Sequence, residues 1–75
     1  MTELRMPKPG DAITEAVLCE FYLSPGDQVI EGTALYRIET DKVEMDIDSP
    51  ATGIFRPLVE AGNEYPVGTL IALIE

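Results

Sequence analysis

The stretch PGDQVIEGTALYRIE at residues 25–39 recurs later in the chain as AGNEYPVGTLIALIE at residues 61–75, an offset of 36 residues. Continued backwards, the same offset pairs Leu18 with Ile54 and Leu23 with Val59. Neither half could bury its apolar side chains alone, so the halves should pack on each other with approximate two-fold symmetry. The identical pairs of the repeat are Gly26 and Gly62, Gly32 and Gly68, Thr33 and Thr69, Ile38 and Ile74, and Glu39 and Glu75.

Glycine and proline divide the chain into apolar segments too short for convincing amphipathic helices. This spacing predicts an all-β domain, and the repeat predicts about four strands from each half. Two antiparallel four-stranded sheets packed as a flattened sandwich are the simplest arrangement of these strands. The whole chain, residues 1–75, is expected to form one domain.

Residues 43–48 alternate between apolar and acidic side chains, which predicts a strand with one buried and one solvated face. The preceding segment, residues 33–39, is also strand-like, with Ala34, Tyr36 and Ile38 predicted on one side. In residues 43–48 the apolar set is Val43, Met45 and Ile47, and the acidic set is Glu44, Asp46 and Asp48.

Composition excludes several functions. Fourteen Asp and Glu face five Lys and Arg, a formal net charge of −9, so nucleic acid is not expected as a partner. Proteins with basic or mixed surfaces are expected instead, and the isolated domain should be monomeric. No signal peptide or membrane span is visible, which leaves the cytoplasm, or the mitochondrial matrix in a eukaryote, as the expected location. The chain has no histidine, and its one cysteine, Cys19, is expected to be a small core residue.

Only Thr40, Asp41 and Lys42 separate the two predicted strands, so they must form a tight turn. Lysine is not a usual residue at a hairpin tip, and its presence there suggests a function. The repeat offset places the symmetry partner of the Asp41–Lys42 turn near Arg5–Met6. One end of the sandwich should therefore carry the hairpin, and the other end both termini.

The sequence ETDKV at residues 39–43 resembles the lipoyl-attachment motif of the acyltransferase subunits of 2-oxoacid dehydrogenase complexes. Gly26 lies sixteen residues before Lys42 and Gly53 eleven after it, as in that family. The resemblance implies a flattened eight-stranded barrel, the barrel-sandwich hybrid, with Gly26 and Gly53 as turn glycines. Ala16 stands where the family usually has Gly, and Phe21 near where it often has Trp. Further matching segments are Met6–Pro7, residues 12–16, 26–29, 50–53 and 67–70.

By the same resemblance, a lipoate ligase or lipoyl transferase joins lipoic acid to Lys42. The arm would then serve a thiamine-dependent 2-oxoacid decarboxylase, an acyltransferase core and dihydrolipoamide dehydrogenase. Residues 8–15 are further candidates for recognition, whereas Asp46 and Asp48 are as well explained by a solvated strand face. Around Lys42, the candidates for recognition are Glu39, Thr40, Asp41, Val43 and Glu44.

Three other functions compete with the lipoyl carrier. A biotin carboxyl carrier shares the fold, but its motif normally flanks the lysine with methionine, and here the flanks are Asp41 and Val43. An unmodified interaction module is the next alternative. An enzyme in its own right is least expected, because the chain has no histidine and no phosphate-binding glycine loop. The end of the chain at its last strand is what either a minimal free-standing carrier or a domain of a longer acyltransferase would show.

Overall fold

The structure is a computed structural model that describes residues 1–8, 10 and 12–75. Among these residues it contains no helix long and apolar enough to span a membrane. Its strands are β1 (Thr2–Arg5), β2 (Glu15–Phe21), β3 (Gln28–Val29), β4 (Ala34–Glu39), β5 (Glu44–Asp48), β6 (Gly53–Pro57), β7 (Asn63–Pro66) and β8 (Leu70–Ile74).

The strands form two four-stranded antiparallel sheets, in the orders β1-β8-β6-β3 and β5-β4-β2-β7. The two orders are equivalent by symmetry. Position by position, β1 corresponds to β5, β8 to β4, β6 to β2 and β3 to β7. The predicted fold class, with its internal two-fold symmetry, is therefore confirmed. Each half of the chain contributes strands to both sheets, so the halves cannot separate without breaking backbone pairing.

The repeated turns are nearly identical in conformation. Thr33 and Thr69 each donate a side-chain hydrogen bond of 2.7 Å to a carbonyl three residues earlier, that of Ile30 or Pro66. Only glycine adopts positive φ without steric cost, which explains why the glycines recur in both halves. Their φ angles are +88° at Gly26, +94° at Gly62, +88° at Gly32 and +89° at Gly68.

The edge strands β1 and β5 are related by a sequence offset that differs from the 36 residues of the repeat. This corrects the predicted position of the symmetry partner of the Asp41–Lys42 turn. Ser49 exchanges two backbone hydrogen bonds of 2.8 and 2.9 Å with residues 32–33, and Met6 exchanges the matching pair with residues 68–69. Met6 is therefore the counterpart of Ser49, at an offset of 43, and not of Lys42. The placement of the turn's symmetry partner near Arg5–Met6 was wrong, because the connection after edge strand β1, residues 6–14, is longer than the connection after edge strand β5, residues 49–52. The counterpart of the hairpin lies where β8 ends beside the start of β1.

Within residues 1–8, 10 and 12–75, the buried apolar side chains form one core cluster. β-Bulges determine which side chains are buried in it. Pairing between β4 and β5 shifts between Ala34 and Tyr36, so Leu35 and Tyr36 are both buried while Ala34 is exposed. Ala34 was therefore wrongly predicted to share a face with Tyr36 and Ile38, because the extra residue breaks the alternation. The buried apolar residues are Leu4, Met6, Ala16, Leu18, Val29, Leu35, Tyr36, Ile38, Phe55, Ile71, Ala72 and Ile74.

Tyr36 makes folding sensitive to alkali. Burial raises the pKa of Tyr36 from 10.0 to about 12, because the phenolate loses hydration inside the domain. Its contribution to stability is fully present below pH 10 and is lost as the pH rises through about 12. We expect Tyr36→Phe to remove part of the fall in the free energy of unfolding between these pH values, measured by urea denaturation. A fall of equal size in wild type and Tyr36→Phe would contradict this assignment.

Candidate functional site

Lys42 lies in the connection between β4 and β5. The last cross-strand pair is Glu39 with Glu44. Beyond it, the Thr40 N–H donates to the Val43 carbonyl at 2.8 Å, and the Val43 N–H donates to the Thr40 side-chain oxygen at 3.3 Å. These two bonds close the turn on one side of Asp41 and Lys42, so Thr40 has a structural role within the predicted recognition set.

The turn holds Lys42 without backbone strain. Among residues 1–8, 10 and 12–75, no residue other than glycine has a positive φ. The lysine therefore does not occupy a position that demands glycine or asparagine, as the central positions of the favoured two-residue hairpin turns do. The premise that lysine is costly at this tip was wrong, because Asp41 and Lys42 both lie outside the positive-φ region. What favours a function for Lys42 is its position.

The side chain of Lys42 is free to react with an external reagent. It is solvent-exposed, and of the described carboxylates none lies within 4.0 Å of its amine. The chain has no histidine to act as a general base beside it. Acylation of the amine therefore requires a base and an activated acyl group supplied by another protein.

An acidic groove runs along one side of the hairpin, with a volume of about 390 Å³. The hairpin contributes Glu39 and Asp41, the start of β2 contributes Glu15, and β7 contributes Glu64. Sequence reasoning missed Glu64, which reaches the site because it pairs with Val17 across β2 and β7. In the sequence, the only indication of this role was that the repeat aligns Glu64 with Gln28 of the first half.

A second groove of about 270 Å³ lies against the turn itself. Gly10 and Ile13 form one wall and residues 40–43 the other. The structure thus brings part of the predicted recognition segment, residues 8–15, beside Lys42. Pro9 and Asp11, which also belong to that segment, lie outside the described residues.

Polar contacts cover the outer face of β5 and tie it to the rest of its sheet. Arg37 lies 3.8 Å from Glu44 and 3.5 Å from Glu20. Tyr22 donates a hydrogen bond to Asp46, and this bond raises the pKa of the Tyr22 hydroxyl. Sequence reasoning missed both Arg37 and Tyr22, since only the pairing of β4 with β2 and β5 brings them beside Glu44 and Asp46. Their contacts give Glu44 and Asp46 a structural role beside any role in recognition.

The inner face of β5 is less buried than predicted. Val43 is 45% exposed and Met45 is 40% exposed, whereas Ile47 packs against the core. The alternation correctly gave the side of the strand on which these residues lie. It could not show that β5 is an edge strand whose first residues receive little cover. Apolar surface therefore flanks Lys42 on its carboxyl side.

The two predicted turn glycines and the cysteine lie in three different surroundings. Gly26 occupies a turn at positive φ, as expected. Gly53 is not in a turn: it begins β6, and a side chain there would meet the backbone of Glu75. Cys19 is only half-buried, with its sulfur 3.9 Å from a Glu39 carboxylate oxygen, so it lies at the margin of the core.

Comparison with known proteins places this geometry in a family. Residues 2–74 match the Biotin_lipoyl family, described as "Biotin-requiring enzyme". All of the chain aligns at 36% identity with 17% of a dihydrolipoyllysine-residue acetyltransferase component of the pyruvate dehydrogenase complex from Mycoplasma capricolum. In a second comparison, 97% of the chain aligns at 34% identity with 18% of a lipoamide acyltransferase component of the branched-chain alpha-keto acid dehydrogenase complex from Bacillus subtilis. The chain thus spans less than a fifth of these relatives.

Proposed function

Because the chain belongs to the biotin/lipoyl family, we propose that it is a lipoyl carrier domain in which Lys42 holds lipoic acid in amide linkage. The observation that carries the proposal is the position of Lys42, exposed at an unstrained hairpin turn and flanked by Asp41 and Val43. The domain by itself acts as a carrier and performs no catalysis. It functions as part of, or as partner to, a dihydrolipoamide acyltransferase.

The protein contributes presentation. The hairpin is fixed by the β4–β5 ladder and by the two bonds between Thr40 and Val43, so the amine of Lys42 projects from a rigid base. Acylation removes one positive charge, so the formal charge of the chain, −9, becomes more negative by one unit. The acidic groove beside the turn and the exposed Val43 offer an enzyme both charge and apolar surface by which to recognise the right lysine.

Lipoic acid held by Lys42 would supply the chemistry, as a dithiolane that takes up an acyl group together with electrons. We propose that a thiamine-dependent 2-oxoacid decarboxylase loads the arm, an acyltransferase core unloads it and dihydrolipoamide dehydrogenase reoxidises it. Tethering makes each transfer effectively intramolecular, with local concentrations of order mM for a flexible tether. The names of the relatives as components of such complexes support this assignment.

A biotin carrier is the second candidate, favoured by the description of the matched family. Two observations favour lipoic acid over biotin. The lysine is flanked by Asp41 and Val43 rather than by methionine, and the relatives aligned over nearly the whole chain are acyltransferase components.

The test is the intact mass of the domain after separate incubation with lipoate ligase, lipoate and ATP, and with biotin ligase, biotin and ATP. We expect one lipoyl adduct on wild type, complete loss of that adduct in Lys42→Arg, and full modification of Lys8→Arg. Lys8 is the matched control, because it is the only other lysine and is also exposed. Arginine keeps the positive charge that Lys8 contributes to residues 8–15, so recognition should be retained. A biotin adduct, or a lipoyl adduct that persists in Lys42→Arg, would refute the assignment.

A further inference from the structure

The hairpin strand β5 has an unused backbone edge. It is the outermost strand of its sheet, so within the described part of the chain only β4 pairs with it. Along an antiparallel ladder, residue pairs that exchange backbone hydrogen bonds alternate with pairs whose N–H and carbonyl groups point away from the partner strand. Since Thr40 is bonded to Val43, and Arg37 lies opposite Asp46 three pairs further on, the N–H and carbonyl of Asp46 point away from β4. By the same alternation, those of Glu44 also point outward.

The symmetry-related edge, β1, provides an internal comparison. The offset of 43 that relates Ser49 to Met6 pairs Asp46 with Glu3 and Asp48 with Arg5. Glu3 and Arg5 form an ion pair at 3.1 Å, so the outward side chains of β1 largely neutralise each other. The corresponding positions of β5 carry carboxylates only. The two edges share one backbone geometry and differ in charge, and the acidic one is the edge beside Lys42.

We infer that the free edge of β5 pairs with an extended segment, bearing Lys or Arg, of the enzyme that acylates Lys42. This inference rests on the proposed lipoylation of that residue. An exposed edge invites pairing. Arg37 lies 3.8 Å from Glu44, but of the described basic groups none lies within 4.0 Å of Asp46 or Asp48, so these two carboxylates repel a second copy of this strand and attract a basic one. Because the acylating enzyme must reach the lysine amine itself, it has to contact the hairpin. Enzymes served by the attached arm can bind further away.

Proline at position 46 tests the edge directly. Asp46→Pro removes the outward N–H and leaves the bonds between β5 and β4 in place, which is where edge strands tolerate proline. Asp46→Asn keeps the N–H and a hydrogen-bond acceptor for Tyr22 but removes the charge. Tyr22→Phe removes only the bond to Asp46. Glu3→Pro makes the same backbone change at the symmetry-related position.

The readout is the initial rate of lipoylation by purified lipoate ligase with lipoate and ATP. We expect Asp46→Pro to be slower than Asp46→Asn by about tenfold or more, as the loss of a backbone hydrogen bond in the complex would produce. Tyr22→Phe and Glu3→Pro should stay within about twofold of wild type. Equal rates for Asp46→Pro and Asp46→Asn, or an equal loss in Glu3→Pro, would overturn the inference. Failure of wild type to be lipoylated would instead refute the proposed function.

Hydrogen exchange gives a second readout that needs no variant to fold. In the free domain, the amides of Glu44 and Asp46 should exchange rapidly, because they face solvent. Excess lipoate ligase without ATP should slow exchange at both amides by at least about tenfold, and should leave the amide of Glu3 unaffected. Unchanged exchange at Glu44 and Asp46 in ligase-bound wild type would exclude strand pairing.

Discussion

Phe55→Ala should strongly lower the free energy of unfolding of the domain, by about 3–5 kcal/mol. Phe55 is fully buried at the centre of the core, and its ring packs edge-on against Phe21 with centroids 5.0 Å apart. Truncation of a buried phenylalanine costs about 3–5 kcal/mol. A domain of 75 residues has a total stability of roughly 4–11 kcal/mol, so this one change removes about a quarter of it at the least.

The measurement is urea denaturation followed by far-UV circular dichroism, with Tyr22→Ala as the matched control. Tyr22 is the next aromatic residue along from Phe21, but it is 40% exposed and touches the surface network rather than the core. We expect its truncation to cost less than about 1 kcal/mol. If Phe55→Ala unfolds at the same urea concentration as Tyr22→Ala, the sheets do not depend on this core in the way the structure indicates.

The symmetry of the domain was readable from its sequence because turns with positive φ accept few residues other than glycine. Gly26 and Gly62 recur for this reason, and with them the register of the strands that follow. The hairpin was readable too, since only three residues separate the two alternating segments. Alternation and turn chemistry are local properties, and local properties are what a sequence displays directly.

Features that depend on the meeting of distant segments were not readable. The bulge at Leu35 buries two neighbouring residues and turns Ala34 to solvent, although nothing in the local sequence marks it. The exposure of Met45 depends on what the opposite sheet covers, and Glu64 joins the acidic groove only through pairing of β7 with β2. Strand alternation gives a side chain its direction and says nothing about what lies in that direction.

Gly53 is also a residue whose role depends on a distant segment. Its substitution by alanine is the second change that we expect to lower the stability of the domain strongly. A methyl group there would lie 2.3 Å from the Glu75 carbonyl oxygen and 2.7 Å from a side-chain carbon of Ile74. Both bonds between Ile54 and Glu75, at 2.8 and 2.9 Å, hold that backbone in place. Because backbone cannot rotate aside, Gly53→Ala must displace the end of β8. We expect a loss of about 2–3 kcal/mol, or roughly 8–24 °C in Tm.

Gly26 is required for a conformational reason: its φ is +88°, and a methyl group there would meet nothing within 4 Å. Substitution by asparagine at each position separates this conformational cause from the steric cause at Gly53. Gly26→Ala should cost about 1–2 kcal/mol through backbone strain alone, and Gly26→Asn should recover part of it because asparagine tolerates that conformation. At position 53 asparagine is larger than alanine and gains nothing from its conformational tolerance, so Gly53→Asn should be the less stable of the two. Recovery of Tm by asparagine at position 53 would mean that the glycine serves a turn after all, and that β6 does not approach the end of β8 as closely as described.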